Sequence, residues 1–284
     1  MSKNFKEKFA FWTFRILTFL VLLLLFWILE FIFVRGWHML SWDFLTKMPE
    51  DGMTKGGIYP AIIGTFCLVI GSMLFAFPLG VMAGIYIHEY TVDSWFKRFV
   101  KLMTNNLAGI PSIVFGLFGM ALFVKTLKFG DSILAGSLTL GLLALPLIIR
   151  ITEEALIAID NSFRLGSYAL GATKLQTIRR IILPMAYPNI ITGLILSIGR
   201  VSGETAPILF TVAAYFLPKL PTSIFDQVMA LPYHLYVIST SGTKIQESRD
   251  MAYGTALVLV LIVLILNLAA NALRRYFGNK VKMN

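Results

Sequence analysis

Long apolar runs constrain this chain more than any other feature of its sequence. Six of them recur along the chain, at residues 16–34, 61–87, 102–124, 132–151, 190–217 and 252–273. A helix needs about 20 apolar residues to cross the roughly 30 Å hydrocarbon core of a bilayer. With 57% hydrophobic and 14% charged residues, the 284-residue sequence therefore predicts an all-α, polytopic membrane protein with six transmembrane helices in a lipid bilayer.

The first apolar run follows a basic N-terminus, as it does in a secretory signal peptide. The run at 16–34 is longer than the apolar part of a typical signal peptide, and no small-x-small cleavage site follows it. We therefore interpret it as a retained first transmembrane helix.

The positive charges indicate topology rather than a nucleic-acid partner. The net charge is +10, but sixteen of the 25 Lys and Arg residues fall on one side of the six predicted helices, eight on the other, and Arg200 lies inside a helix. Loops on the cytoplasmic side carry the excess of Lys and Arg in membrane proteins. The sequence thus predicts both termini in the cytoplasm and no nucleic-acid partner.

The residue types needed for bond-breaking chemistry are not grouped in this sequence. Cys67 is the single cysteine, and the three histidines have no neighbouring ligands. No Walker A motif and no recognisable nucleophile motif is present. The sequence predicts a protein that is not an enzyme and that has no catalytic residue, metal or cofactor.

A basic connection between the fourth and fifth runs is too polar to cross a bilayer. Leu165, Tyr168, Ala169 and Ala172 follow the i, i+3, i+4, i+7 pattern of one helix face. Gly171 can adopt the positive φ that ends such a helix.

The next segment carries a helix-start signal. Thr173 and Gln176 have the spacing of a capping box. The pattern predicts a helix, a tight break and a second helix that terminates near Pro184.

The fifth apolar run is interrupted by the polar segment from Gly199 to Pro207. By helical rise, Arg200 lies about 15 Å beyond Ile190, near the middle of the bilayer, where a charge is a functional candidate. Arg200 and Glu204 are four residues apart and share a helix face.

The same segment contains a helix breaker. Pro207 cannot donate to the carbonyl of Gly203, so we expect a kink or an opening there. Interrupted helices at mid-depth are typical substrate sites in transporters. A guanidinium fork suits an oxyanion, and the hydroxyls of Ser202 and Thr205 can donate further hydrogen bonds to it. The alternative is that Arg200 and Glu204 form an ion pair that only orients helices.

These segments resemble the permease subunits of ABC importers. In the connection, Gly171, Ile181, Leu183 and Pro184 match the loop pattern of that family, whereas Leu165, Gly166 and Ser167 replace its Glu-Ala-Ala. Together with Arg-Val-Ser-Gly-Glu-Thr-Ala-Pro at 200–207, the pattern is similar to the PstA-type permeases of phosphate importers. The resemblance covers the chain from about residue 57 to the last helix.

The resemblance implies a fold, a function and partners. The fold is the type I ABC importer permease (MetI-like) fold in a bacterial or archaeal cytoplasmic (inner) membrane, with residues 57–273 as the transmembrane domain. Residues 1–56 precede this domain and a basic cytoplasmic tail, 274–284, follows it. The implied partners are a second, PstC-like permease, two ABC ATPases, an extracytoplasmic phosphate-binding protein and inorganic phosphate.

Site roles follow from the same resemblance. Arg200, Ser202, Glu204 and Thr205 would lie on the phosphate path, with Gly203 and Pro207 at the kink of its helix. The ATPases would dock on a coupling loop formed by Glu154, Ala169, Gly171, Ala172, Ile181, Leu183 and Pro184. Two alternatives stay open at this point: a permease for another oxyanion, and an anion transporter that needs no ATPase.

Overall fold

The computed structural model describes residues 3–240 and 248–283. Its elements, in chain order, are α1 (Lys3–Gly36), a 3₁₀ turn (Trp37–Met39), α2 (Trp42–Thr46), β1 (Pro49–Glu50), β2 (Lys55–Gly56), α3 (Tyr59–Ile85), a π-helical turn (Tyr86–Tyr90), α4 (Trp95–Ala108), α5 (Ser112–Gly119), a π-helical turn (Met120–Thr126), α6 (Ile133–Ile157), α7 (Ser162–Ala169), α8 (Lys174–Thr177), a π-helical turn (Ile178–Ile182), α9 (Leu183–Ser202), α10 (Ala206–Leu209), α11 (Leu231–Thr240) and α12 (Arg249–Met283). Strands β1 and β2 form a short antiparallel hairpin. The predicted helical class is confirmed.

Within these residues, five helical stretches are long and apolar enough to cross a membrane unbroken. They cover residues 11–39, 59–90, 133–157, 174–202 and 249–272. A sixth crossing is present if the helices on the two sides of residues 109–111 are counted together. The prediction of six transmembrane helices therefore holds with one broken member.

The third predicted span, 102–124, is the broken one. Its two halves are bent by 102° relative to each other, so residues 102–108 do not continue the crossing made by α5. Pro111 separates them with φ −57° and ψ 137°, an extended conformation. Proline lacks a backbone donor and disfavours the helical conformation in the preceding residue, which explains why the helix stops at Ala108.

Helices α3 and α6 form the centre of the bundle and run in the same direction. A Cβ atom on Gly80 would lie 2.6 Å from the Ile148 side chain, and one on Gly84 would lie 2.7 Å from Thr152. Small residues permit such close approach, which is the main source of helix association in lipid. The glycines of α3 thereby fix its register against α6.

Helix α9 runs antiparallel to α6 and to α12. Gly193 packs on Ile151 in α6, and Arg274 of α12 donates to Thr192 Oγ1 of α9 at 3.4 Å. We call the end of the bundle that carries residues 158–177 the loop end, and the opposite end, with β1 and β2, the hairpin end. Helix α1 begins at the loop end and α12 finishes there.

The prediction that the second loop helix terminates near Pro184 is wrong. Helix α8 continues through the π-helical turn into α9, so the fifth span begins at Lys174 and ends at Ser202. In this turn the Leu183 amide donates to the Ile178 carbonyl, five residues back. Pro184 follows this turn directly, so the irregular hydrogen bonding falls where proline supplies no donor and the helix continues past it.

Residues 218–251 are largely polar, and their position between the fifth and sixth apolar runs predicts an outer loop, but they contain a buried helix. Leu231, His234 and Val237 of α11 are buried, and the Leu231 amide donates to Thr65 Oγ1 of α3 at 2.8 Å. Residues 228–238 are mostly apolar but too few to span a bilayer, so they fold back into the hairpin end of the bundle. Residues 241–247 of the predicted loop lie outside the described residues.

The two terminal helices differ from the central ones. None of the apolar window of α1 is buried, and α1 meets α12 through contacts such as the Phe31–Tyr253 ring pair at 5.6 Å. Helix α12 continues beyond the predicted span, through Arg274 to Met283. The predicted division at 1–56, 57–273 and 274–284 stays a prediction.

Candidate functional site

The helix that carries Arg200 ends two residues later. Helix α9 stops at Ser202, Gly203 caps it, and α10 begins at Ala206 with Pro207 in its first turn. The interruption thus covers residues 203–205, slightly before the proline. Pro207 starts a helix there rather than bending one, in keeping with the preference of proline for the first helical turn.

Arg200 and Glu204 face each other across the start of this interruption. The distance from Arg200 Nε to Glu204 Oε1 is 3.6 Å, which is within ion-pair range but too long for a hydrogen bond. The arginine side chain is 34% exposed and the glutamate 18%. The guanidinium thus keeps most of its five donors available for another partner.

Arg200 lies on the face of α9 that the rest of the described chain leaves uncovered. Leu196 and Gly203, four residues before and three after it, are exposed. Ser202, which is two residues further on and therefore on the opposite face, is buried in the bundle. Arg200 therefore points away from the core of its own chain.

Helix packing gives the depth of this arginine. Gly193 contacts Ile151 of α6, and Arg200 lies seven residues, or about 10 Å, further toward the hairpin end. Because α6 and α9 are antiparallel, this is the level of Ala144, close to the middle of the 25-residue helix α6. The arginine thus lies midway between the two ends of the bundle, as its position in the apolar run suggests.

The two hydroxyls proposed for the path are placed differently. Ser202 is 1% exposed and its Oγ donates to the Ile198 carbonyl at 2.7 Å, so this hydroxyl is engaged by its own helix. Thr205 is half-buried within the interruption. The path roles of Ser202, Thr205, Gly203 and Pro207 stay predictions.

The enclosed space beside the pair is small. Ser202 and Glu204 border a crevice of about 10 Å³ between α3, α6 and α9, together with Leu68 and Leu140. That volume holds at most one water molecule. An anion the size of phosphate does not fit this crevice, so its approach to Arg200 is from the uncovered side of α9.

The loop has the predicted local structure. Helix α7 ends just before Gly171, which has φ +78°, and Thr173 and Gln176 form a capping box at the start of α8. A Cβ at Gly171 would meet nothing within 4 Å, so backbone conformation rather than space favours glycine. Both predictions, the positive φ and the capping box, are confirmed.

The apolar side chains of α7 and its break do not pack on the bundle. Leu165 is 61% exposed and Leu170 is 90% exposed, and Phe163, Tyr168 and Leu175 are also exposed. Ala169 is exposed and Ala172 half-buried. A concentration of large exposed apolar residues marks an interaction surface.

The other predicted loop residues are separated from this surface. Ile181 and Leu183 pack inward against a buried cluster at the loop end, and Pro184 lies in the first turn of α9. Glu154 stands on α6 with an exposed carboxylate, 2.9 Å from Arg150 Nε. These four residues are not part of the exposed apolar surface of α7, and their coupling role stays a prediction.

Sequence reasoning missed a buried ion pair at the loop end. Arg164 of α7 is paired with Glu89, in the π-helical turn after α3, at 2.7 Å. The partners are 75 residues apart, so no local spacing reveals them. The available signal was weak: each residue lies next to a predicted span on the same side of the membrane.

Comparisons with known proteins agree with this architecture. A family model described as "Binding-protein-dependent transport system inner membrane component" matches residues 76–283. The crystal structure of a bacterial alginate ABC transporter, in complex with its periplasmic protein, superposes with a TM-score of 0.69 at 16% identity, over 96% of each chain. This likeness confirms the predicted importer-permease fold.

Two relatives cover nearly the whole chain. The "Probable ABC transporter permease protein YqgI" of Bacillus subtilis (strain 168) is 32% identical over 296 residues, which is 100% of both chains. The "Phosphate transport system permease protein PstA" of Mycobacterium leprae is 39% identical over 255 residues, 87% of this chain and 82% of that protein. The chain therefore belongs to the family of inner-membrane permease components of binding-protein-dependent transport systems.

Proposed function

We propose that this chain is one of two permease subunits of an ATP-driven phosphate importer. The observation that carries the proposal is the Arg200–Glu204 pair, placed at a helix break midway through a permease that is similar to a phosphate transport permease. An arginine fork matches phosphate oxygens in geometry and charge. Glu204 offsets the charge of Arg200 and opposes retention of the anion.

The single chain supplies half of the path. Arg200 is on the uncovered face of α9, and the crevice that the described residues form beside Glu204 is too small for phosphate. A second, PstC-like permease packed against this face would close the path around the guanidinium. The two chains together would then exclude lipid and bulk water from the anion.

ATP hydrolysis is assigned to separate subunits. The exposed apolar residues of α7 and its break, Leu165 and Leu170 above all, form a surface that suits an ABC ATPase. The assembly would then hold two ABC ATPases, one on each permease. An ATPase-independent transporter would have no use for this surface. The loop end is then cytoplasmic, as are both termini, and the hairpin end meets an extracytoplasmic phosphate-binding protein.

Closure of the ATPases on nucleotide would move α7 and switch the central helices between two arrangements. In one arrangement Arg200 is open to the binding protein, and in the other it is open to the cytoplasm. The membrane is the cytoplasmic membrane of a bacterium or an archaeon.

Uptake into proteoliposomes tests this function. The full assembly, with both permeases, both ATPases and the binding protein, is reconstituted and radioactive phosphate is followed with and without Mg-ATP. We expect uptake that requires ATP and that excess sulfate, molybdate or tungstate does not inhibit. Inhibition by one of these anions would assign another oxyanion, and uptake without nucleotide would contradict the importer proposal.

A further inference from the structure

The buried pair at the loop end has an unusually complete set of contacts. Arg164 and Glu89 side chains are only 11% and 6% exposed. Arg164 donates to Glu89 Oε1 twice, from Nη2 at 2.7 Å and from Nε at 3.2 Å. Two donors of one guanidinium on one carboxylate oxygen restrict the direction as well as the distance of the contact.

The same guanidinium also caps the end of α6. Arg164 Nη1 donates to the Ile159 carbonyl at 3.1 Å, and Nη2 donates to the Leu156 carbonyl at 3.2 Å. The last carbonyls of a helix lack donors and carry the negative end of its dipole, so a cation is favoured there. One side chain of α7 therefore binds the loop ends of both central helices, directly at α6 and through Glu89 beyond α3.

The same side of α7 is joined to the fifth span by a weaker link. Ser167 Oγ and Thr177 Oγ1 share a buried hydrogen bond of 2.8 Å between α7 and α8. The outer face of α7 is left open, with Leu165 exposed one position after Arg164. A force applied to the outer face reaches α9 through residues 170–173 and this neutral bond. It reaches α6 through residues 158–161 and through Arg164, and it reaches α3 through Arg164 and Glu89.

We propose that Arg164 is the positioning residue that transmits movement of α7 to α3 and α6, with Glu89 as its partner. The inference rests on the proposed function, because it requires an ATPase that moves α7. Without Arg164, α7 would still follow the ATPase and pull on α9, and residues 158–161 would still join it to α6, but the side-chain contacts that fix α7 against the ends of α3 and α6 would be lost. ATP would then be hydrolysed with little transport.

The surroundings of the pair allow this to be tested without unfolding the chain. A cavity of about 470 Å³, lined by His88, Glu89, Asp160, Asn161 and Arg164 among others, opens beside the pair. Water in a polar cavity of this size can solvate a group that has lost its partner. Glu89→Gln and Arg164→Lys are therefore expected to fold, and Arg164→Leu removes every donor.

The experiment measures phosphate transported per ATP hydrolysed in the reconstituted assembly. We expect Arg164→Leu and Glu89→Gln to lower this ratio about tenfold, within the roughly 5–150-fold range of coupling between two sites. Co-purification of the ATPases and their hydrolysis rate should stay near wild type. Arg164→Lys, which keeps the charge but loses the fork, should give an intermediate ratio.

The matched control is Arg150→Gln, which removes the exposed ion pair of Arg150 with Glu154 on the same end of α6. It should leave the ratio unchanged. Ratios near wild type in Glu89→Gln and Arg164→Lys would overturn the inference. This criterion holds even if the Arg164→Leu chain fails to assemble. A wild-type assembly without ATP-dependent uptake would instead contradict the proposed function and leave these ratios undefined.

Discussion

Two arginine–glutamate pairs in this chain have the same chemistry and opposite surroundings. Arg200 and Glu204 are 3.6 Å apart on one helix, and the arginine is 34% exposed toward the uncovered side of the bundle. Arg164 and Glu89 are 2.7 Å apart on different elements, and both are nearly completely buried. The first guanidinium has donors to spare, and the second donates to a carboxylate and two helix-end carbonyls.

The difference separates a guanidinium that is available to a ligand from one that is engaged by its own chain. A guanidinium whose donors are satisfied by its own chain cannot receive an anion without first breaking those contacts, and breaking a buried pair costs about 3–5 kcal/mol. A guanidinium with one long contact can change partners readily. Burial and hydrogen bonds, rather than residue type, therefore decide which arginine can hold phosphate and which can hold helices together.

The largest effect should come from removing the loosely held arginine. Arg200→Leu deletes the donors for the anion, and charged hydrogen bonds contribute about 1.5–3 kcal/mol each, so we expect a loss of phosphate uptake of about 100-fold. ATPase co-purification should be unaffected. The measurement is initial uptake in proteoliposomes, and uptake within twofold of wild type would remove Arg200 from the path.

A smaller effect is expected where neither pair is touched but the helix that carries Arg164 is displaced. Gly171→Pro forces φ from +78° to about −65° and removes the amide that donates to Tyr168 at 2.9 Å. We expect transport per ATP to fall about tenfold while the chain still inserts into the membrane. Normal coupling in this variant would contradict a lever role for the loop.

Replacing Glu204, the carboxylate partner of Arg200, should have a moderate and distinctive effect on transport. Glu204→Gln removes a negative charge beside the path, so the anion is held more tightly by Arg200 and released more slowly. A change of about 1 kcal/mol corresponds to roughly fivefold, seen as a lower kcat together with a lower KM for phosphate. A raised KM would instead show that Glu204 acts mainly by orienting Arg200.

The smallest effect is expected at a third pair, which is exposed on both sides. Arg150 and Glu154 are 63% and 57% exposed, and such i, i+4 pairs contribute about 0.3–0.5 kcal/mol. Arg150→Gln should change uptake and ATP hydrolysis less than about twofold. A larger loss would mean that charge at the loop end matters irrespective of burial, and the contrast drawn above would fail.

Local signals predicted the loop accurately, and non-local packing limited the rest. The positive φ of Gly171 and the capping box at Thr173 follow from neighbouring residues alone, so the sequence predicts both. The start of the fifth span was misplaced because Pro184 is typical of a helix end, although a π-helical turn just before it keeps the helix continuous. The buried helix α11 was missed because its anchor, Thr65, is 166 residues away.

Residue order alone predicts that this chain crosses a membrane repeatedly, that the connection after the fourth apolar run breaks at Gly171, and that an arginine stands inside an apolar run. These properties depend on residue type and on spacings of a few residues, which act within one helix. Which arginine keeps donors available and which has them taken by hydrogen bonds depends on the folded chain. Glu89 reaches Arg164 only because the chain crosses the bundle and returns between them. The energy of a charge is set by the groups around it, and folding assembles those groups from distant parts of the chain.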